Sequence, residues 1–267
     1  MFTNPAQEVL LVLVSRRVDA SFEAVLSALE ILGIVAVVAF AAGVQSISGF
    51  GFALLSMPMM TLIVDPQVAV VVSTVVGLVS ASYQAVRDRT AADVALAKRL
   101  TVASFCGMPF GLFVFITFSQ DTLRVLLGTV IVIATLLLAR GITLKDRVRH
   151  HEWIVGVISG VLATALSTNG PPLVILLQAR RLEPDQFRAT INRVFAVVGL
   201  GSFIFFVAAK KVTSDALLAC LLALPVLFIA LKLGLLARPY MQGKRFQRLV
   251  LVLLALSGIS AITSAVL

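Results

Sequence analysis

Long apolar runs recur along almost the whole chain and are separated by short polar segments. A helix needs roughly 20 apolar residues to cross a bilayer, and eight of the runs approach that length. The pattern predicts an all-α, polytopic transmembrane helical bundle, preceded by an amphipathic or loose leader at residues 1–28. It has eight membrane segments if the two shorter runs only re-enter the membrane, and ten if they cross it. The predicted spans are 31–47, 68–86, 100–118, 123–139, 153–166, 191–209, 216–236 and 249–267, and the shorter runs are 53–64 and 173–179.

Composition agrees with a membrane protein. Of the 267 residues, 60% are hydrophobic and 13% are charged, about half the charged share typical of soluble domains. No stretch resembles a separate soluble domain, so residues 1–267 are interpreted as a single membrane domain in contact with lipid. The net charge of +9 lies mostly in short loops, where it indicates topology rather than binding to nucleic acid.

The chain has few cysteine and histidine residues that could bind a metal or a cofactor. Cys106 and Cys220 lie inside apolar runs, where thiols are usually packing residues. The only histidines, His150 and His151, are adjacent and lack a spaced partner. We therefore expect no metal, no cofactor and no catalytic residue.

The two halves of the chain repeat the same order of features. Residues 29–139 form the first predicted repeat and residues 153–267 the second. A shift of 118 places Asp65-Pro66 on Glu183-Pro184 and residues 49–52 on residues 167–170. If each short run crosses, each half has five spans, and the odd number inverts the second half. Interrupted segments at matching positions indicate a transporter binding site.

Basic residues predict the orientation. The loops 87–99, 140–152 and 237–248 are rich in Lys and Arg, whereas the turns at 65–66 and 119–121 contain none. The positive-inside rule places the three loops in the cytoplasm and the two turns outside. Lys210 and Lys211 weaken this assignment, because it would place both lysines outside.

The two interruptions, at residues 48–52 and 167–172, predict the site. Gly49, Gly51 and Gly170 permit close backbone approach, and Pro58, Pro171 and Pro172 interrupt the helical ladder. A restarting helix directs N–H groups and its positive end into a cavity, which suits an oxyanion. The alternative for any single glycine is tight helix packing. The predicted substrate-binding residues are Gln45, Ser48, Gly49, Phe50, Gly51, Ser167, Thr168, Asn169, Gly170, Pro171, Gln178, Asn192 and Arg193.

Charged side chains refine this prediction. Every Asp and Glu is assigned to a loop, a tail or a span end, with Glu152 in the 140–152 loop. Carriers driven by cations commonly bury a carboxylate in a span, so we expect anion movement that needs no titrating acid. Arg188 and Arg193 are candidates for attracting an anion or, alternatively, ordinary loop charges. Lys232 is interpreted as snorkelling to the interface.

The same residues resemble a known family. Residues 48–52 followed by Pro58 resemble the first signature of the sulfite exporter TauE/SafE family. Residues 169–174, followed by 178–180 and 187–190, are similar to its second. Phe50 and Phe52 depart from the pattern by occupying positions that are commonly small.

The resemblance extends from about residue 32 to the end of the chain. It implies a multi-pass inner-membrane carrier, an exporter of small sulfur-containing anions such as sulfite or organosulfonates. An anion channel and an uptake carrier for another small organic anion stay open, as does a homodimer. A membrane enzyme is not supported, because the sequence shows no nucleophile with a recognisable base.

Overall fold

A computed structural model describes residues 26–139, 148–180 and 182–237. Most of the predicted leader, most of the 140–152 loop, the 237–248 loop beyond Ala237 and the predicted 249–267 span lie outside these ranges. The described ranges contain nine helices and no strand. The helices are α1 Ala28–Ser48, α2 Phe52–Met60, α3 Pro66–Arg87, α4 Val94–Thr117, α5 Gln120–Ala139, α6 Val148–Leu166, α7 Gly170–Ala179, α8 Pro184–Ala208 and α9 Ser214–Ala237.

Six of the described helices are long and apolar enough to cross a membrane. They are α1, α3, α4, α5, α8 and α9, while α6 and α7 contribute shorter apolar segments. Large hydrophobic side chains such as Phe110 and Leu221 are exposed on the outside, as a lipid-facing surface requires. The predicted all-helical fold is confirmed for the described residues.

Local sequence explains where several helices begin. α1 begins with a capping box, in which Ser27 and Glu30 satisfy each other's backbone N–H groups. Pro66 and Pro184 occupy the first turns of α3 and α8, where a missing N–H costs nothing. Asp93 caps α4 by accepting from Leu96 N at 2.9 Å.

Some predicted boundaries were wrong because polar residues continue a helix when its apolar face is buried. α4 begins at Val94, so Lys98 and Arg99 are helical rather than part of the 87–99 loop. α8 begins at Pro184, seven residues before the predicted span at 191. α6 begins at Val148, so Glu152 is helical rather than part of the 140–152 loop.

Contacts between helices establish the direction in which α4, α6 and α8 run. Arg99 contacts Glu152, and Thr164 Oγ1 donates to Met108 O at 2.7 Å, so α4 and α6 are parallel. Asp93 N donates to Thr190 Oγ1 at 2.9 Å, and Phe105 lies beside Gly201. α8 is therefore parallel to both.

A second set of helices runs the other way. Gln67 Nε2 donates to Phe115 O at 3.4 Å and a short connection joins Arg87 to Val94, so α3 is antiparallel to α4. The rings of Tyr83 and Phe228 lie 5.8 Å apart, and Cys220 contacts Val72 O. These contacts make α9 parallel to α3.

α1 belongs to this second set. Gly33 near its beginning lies beside Ile63, shortly before α3 begins. Gln45 near its end accepts from Ser80 Oγ at 2.6 Å, well along α3. α1, α3 and α9 thus run antiparallel to α4, α6 and α8.

Two buried apolar clusters reflect this division. One is built mainly from α1, α2, α3, α5 and α9, and the other mainly from α4, α6, α7 and α8. Phe50, in the segment between α1 and α2, packs against both clusters. The chain segments next to this residue are therefore close to both sets of helices.

Candidate functional site

The first junction, residues 49–51, joins α1 to α2 through two left-handed residues. Gly49 and Gly51 have φ angles of 86° and 98°, a region that side chains strongly disfavour. Gly49 N donates to Gln45 O at 2.6 Å, which terminates α1. The Ser48 hydroxyl lies 2.9 Å from Val44 O and 2.6 Å from Phe50 O. Glycine is required here by backbone conformation.

The second junction, residues 167–169, joins α6 to α7 without glycine. Ser167 has a φ angle of 56°, which costs a residue with a side chain of the order of 1–2 kcal/mol. Thr74 Oγ1 donates to Ser167 Oγ at 3.0 Å, and Ser159 Oγ donates to Asn169 O at 3.0 Å. Strained backbone of this kind is concentrated at functional sites.

Both short helices begin without a side-chain cap. Gly51 and Asn169 occupy the N-cap positions of α2 and α7. Glycine has no side chain to cap α2, and the Asn169 side chain makes no capping hydrogen bond to α7. The first N–H groups of a helix have no partner within it, so these ends carry partial positive charge. Pro58 lies inside α2 and removes the bond to the Leu54 carbonyl, as predicted.

The effects on the local backbone that were predicted for Pro171, Pro172 and Gly170 are wrong. Both prolines lie in the first turn of α7, where they start the helix rather than interrupt its ladder. Because they lack N–H groups, α7 offers fewer donors than α2. A Cβ at Gly170 would lie 3.7 Å from Phe195 Cζ, which is ordinary contact rather than close approach.

The close approach expected at Gly51 is also absent, since no atom among the described residues lies within 4 Å of a Cβ built there. At Gly49 it is present, because a Cβ would overlap the Arg188 side chain.

A cavity of about 60 Å³, the junction cavity, lies between the two junctions. One water molecule occupies roughly 10–15 Å³ on the same scale, so there is room for a small polyatomic ion. The lining combines the first turns of α2 and α7 with one face each of α3 and α8. The lining residues are Gln45, Gly51, Phe52, Ala53, Leu54, Ser73, Thr74, Gly77, Leu78, Ala163, Ser167, Thr168, Asn169, Gly170, Phe195, Val198, Gly199 and Ser202.

Two hydroxyl groups in this lining are buried and have no hydrogen-bond partner among the described residues. They are Thr168 Oγ1 and Ser202 Oγ, on side chains that are 0% and 1% exposed. A buried polar group without a partner costs free energy. Both hydroxyls are therefore available to a bound ligand.

Some predicted site residues line this cavity and others do not. Those in the lining are Gln45, Gly51, Ser167, Thr168, Asn169 and Gly170. Those outside it are Ser48, Gly49, Phe50, Pro171, Gln178, Asn192 and Arg193.

Four of the predicted residues outside the lining form a layer beside the first junction. Asn192 Nδ2 lies 2.9 Å from Arg188 O and 3.4 Å from Gly49 O. Phe50 packs edge-to-face on Phe187, with ring centroids 6.1 Å apart, and Ser48 is part of the same turn. Arg188 also pairs with Asp185 at 2.7 Å.

The last predicted residues are farther away. Gln178 is exposed near the end of α7. Arg193 precedes the lining residue Val198 by five positions, so it lies about 140° around α8 from it. Pro171 follows the lining residue Gly170 in the first turn of α7.

Sequence reasoning missed the contribution of α3 and α8. Thr74 and Ser202 stand inside apolar runs, where an isolated hydroxyl is an available signal. Hydroxyls in membrane helices also bond to their own backbone or to a neighbouring helix, so the sequence could not assign these two to a site.

One acidic residue is buried, although it lies near the start of α6, at the end of the predicted span 153–166. Glu152 is buried in α6, with a side chain that is 1% exposed. Arg99 Nε lies 2.6 Å from its Oε2 atom, and the Arg180 guanidinium pairs with its Oε1 atom. A buried carboxylate requires such compensation.

Comparison with known sequences identifies the relatives of the chain. The sequence profile described as sulfite exporter TauE/SafE matches residues 34–261. The chain belongs to the sulfite exporter TauE/SafE family. This confirms the predicted family and makes the protein a multi-pass membrane protein of a transporter family. No curated protein and no solved structure matches the chain significantly.

Proposed function

We propose that this TauE/SafE family member exports small sulfur-containing oxyanions, sulfite or organosulfonates, across the inner membrane and binds them in the junction cavity. The observation that carries the proposal is the pair of buried, unpartnered hydroxyls of Thr168 and Ser202 between two helix N-termini. Hydroxyls donate to sulfonyl oxygens, and helix N-termini favour negative charge.

Dipoles rather than full charges would hold the ligand. No charged residue is among the described residues that line the cavity. Each helix N-terminus acts as roughly half a positive charge, and the Gln45 side chain adds an amide. Since Gln45 Oε1 accepts from Ser80, its Nε2 group is the one that can donate to a ligand.

Hydroxyl groups lie together at one end of the cavity. Thr74 lies one turn before Leu78 on α3, whereas Ser202 lies one turn after Val198 on α8. Because α3 and α8 run antiparallel, both hydroxyls face the same end of the cavity. Ser167, the partner of Thr74, belongs to that end as well.

Two aromatic side chains and the Gln45 amide, which pairs with Ser80 on α3, occupy the other end. Phe195 lies on α8 one turn away from Val198 in the direction opposite to Ser202. Phe52 packs beside Gly77, one turn beyond Thr74. A small oxyanion in this cavity would therefore meet hydroxyl groups at one end, and the first turns of α2 and α7 with the Gln45 amide at the other.

The two halves would form an inverted repeat around this cavity. With a shift of 118, the starts of α2 and α3 at Phe52 and Pro66 coincide with those of α7 and α8 at Gly170 and Pro184. The shift also relates α1 to α6 and α4 to α9, and each related pair of long helices runs in opposite directions. Such a repeat supports alternating access around a central site.

The proposal predicts specific loss of binding when either hydroxyl is removed. Hydrogen bonds to a charged group contribute roughly 1.5–3 kcal/mol, so Ser202→Ala and Thr168→Val should each weaken affinity about tenfold or more. The matched control is Ser214→Ala, because Ser214 is exposed at the start of α9. Thermal shift of the purified protein against sulfite, methanesulfonate and sulfate measures the affinities.

Counterflow into liposomes completes the test. A carrier shows saturable flux that is stimulated by substrate on the opposite side, whereas a channel does not. If no sulfur oxyanion raises the melting temperature or exchanges across the membrane, the proposed substrate class is wrong. If binding survives both hydroxyl substitutions unchanged, the site lies elsewhere.

A further inference from the structure

Two arginines from different helices form ion pairs with Glu152. Arg99 extends from α4 and Arg180 lies at the C-cap of α7, and both pair with the buried carboxylate on α6. Neither arginine lines the junction cavity, and Glu152 does not either. The cluster is therefore separate from the proposed substrate contacts.

The two arginines have different structural consequences. Arg99 joins α4 to α6, which already pack closely along their length through Gly107, Gly111 and Gly160. Loss of the Arg99 contact would leave that packing in place. Arg180 instead joins α6 to the end of α7, a helix of only ten residues and about 15 Å.

The Arg180 contact closes a hairpin. α6 leads to the second junction and α7 returns from it, so Glu152 and Arg180 lie at the open end and residues 167–169 at the tip. Thr168 and Asn169, at this tip, line the cavity. A constraint at the open end limits how far the tip and the α7 N-terminus can move.

We propose that the Glu152–Arg180 ion pair is a positioning clasp that holds the second junction and the start of α7 in the geometry that binds substrate. This inference rests on the proposed function of the cavity. Arg180 acts through α7 rather than by touching the ligand. Arg99 contributes to stability by compensating the same carboxylate.

The matched pair Arg180→Gln and Arg99→Gln tests the clasp. Both substitutions remove one ion pair from Glu152, and both should lower the melting temperature. Only Arg180→Gln should raise the Kd for sulfite and methanesulfonate, by at least about fivefold, because only Arg180 is attached to α7. Arg180→Lys, which keeps the charge, should restore most of the affinity.

A second measurement needs no substrate. In a background with Cys106→Ser and Cys220→Ser, an Asn169→Cys substitution reports the exposure of the second junction to a small thiol reagent. Arg180→Gln and Glu152→Gln should accelerate labelling severalfold, whereas Arg99→Gln should not. Glu152→Gln serves as the clasp variant if Arg180→Gln does not fold.

The outcomes separate the two proposals. Equal labelling rates and equal Kd values for the Arg180 and Arg99 variants would overturn the clasp, while the proposed substrate site would stand. Faster labelling in a protein that binds neither sulfite nor methanesulfonate would support the clasp and overturn the proposed function.

Discussion

At the scale of single residues, backbone conformation decides which glycines matter. Gly49 combines a left-handed φ of 86° with the Arg188 side chain in the space that a Cβ would fill. Gly170 has neither constraint. Under the 118-residue shift it corresponds to Phe52, whereas Gly49 corresponds to Ser167. The two positions therefore need glycine to different degrees.

We predict that Gly49→Ala lowers stability and Gly170→Ala does not. The left-handed conformation alone costs a residue with a side chain about 1–2 kcal/mol, and the displaced Arg188 adds to this. At Gly170 the new methyl group would make ordinary contact at 3.7 Å. Thermal unfolding of the purified variants in detergent checks the difference, and equal melting temperatures would contradict it.

At the scale of helices, α4 and α6 approach each other through small residues. A Cβ on Gly160 would overlap the carbonyl oxygen of Ser104, and one on Gly107 would overlap that of Val157. Backbone atoms cannot rotate away as a side chain does, so the helices would have to separate. Small residues at such interfaces allow the close packing that drives association in membranes.

We predict that Gly160→Ala destabilises the protein by about 1–3 kcal/mol, the usual cost of overpacking. Gly43→Ala is the control, because no described atom lies within 4 Å of a Cβ at this position in α1. Alanine at an open helical position should be neutral or stabilise by up to about 1 kcal/mol. Chemical or thermal unfolding of both variants distinguishes the effects, and similar losses would argue against the interface.

At the scale of the whole molecule, the charge distribution bears on energetics. The described residues that line the cavity are neutral, and the buried Glu152 is compensated by two arginines outside the lining. The described lining of the cavity thus supplies no titrating acid to a bound ligand. The membrane potential, negative inside, favours exit of each negative charge by roughly 2.3 kcal/mol per 100 mV.

We predict that export is electrogenic. At about 1.4 kcal/mol per factor of ten, this potential supports a gradient of tens-fold for a monoanion. Flux of methanesulfonate from proteoliposomes, under an imposed potassium-diffusion potential and equal pH on both sides, should rise as the interior becomes more negative. Flux that follows only a pH gradient would indicate tight proton coupling instead.

The sequence by itself determined the membrane class, the positions of the helix junctions and the family. These depend on local properties, because the length of an apolar run and the conformational needs of Gly and Pro act within a few residues. Interruptions at residues 48–52 and 167–172 could therefore be predicted without any tertiary contact, and the structure places the junctions at 49–51 and 167–169.

Only the tertiary structure decided which side chains meet. Thr74 and Ser202 join the cavity because α3 and α8 turn those faces toward the junctions, whereas Arg193 lies on another face of α8. Glu152 is buried because Arg99 and Arg180 reach it from other helices. The direction in which a helix faces depends on what it packs against, and those partners lie far away in sequence.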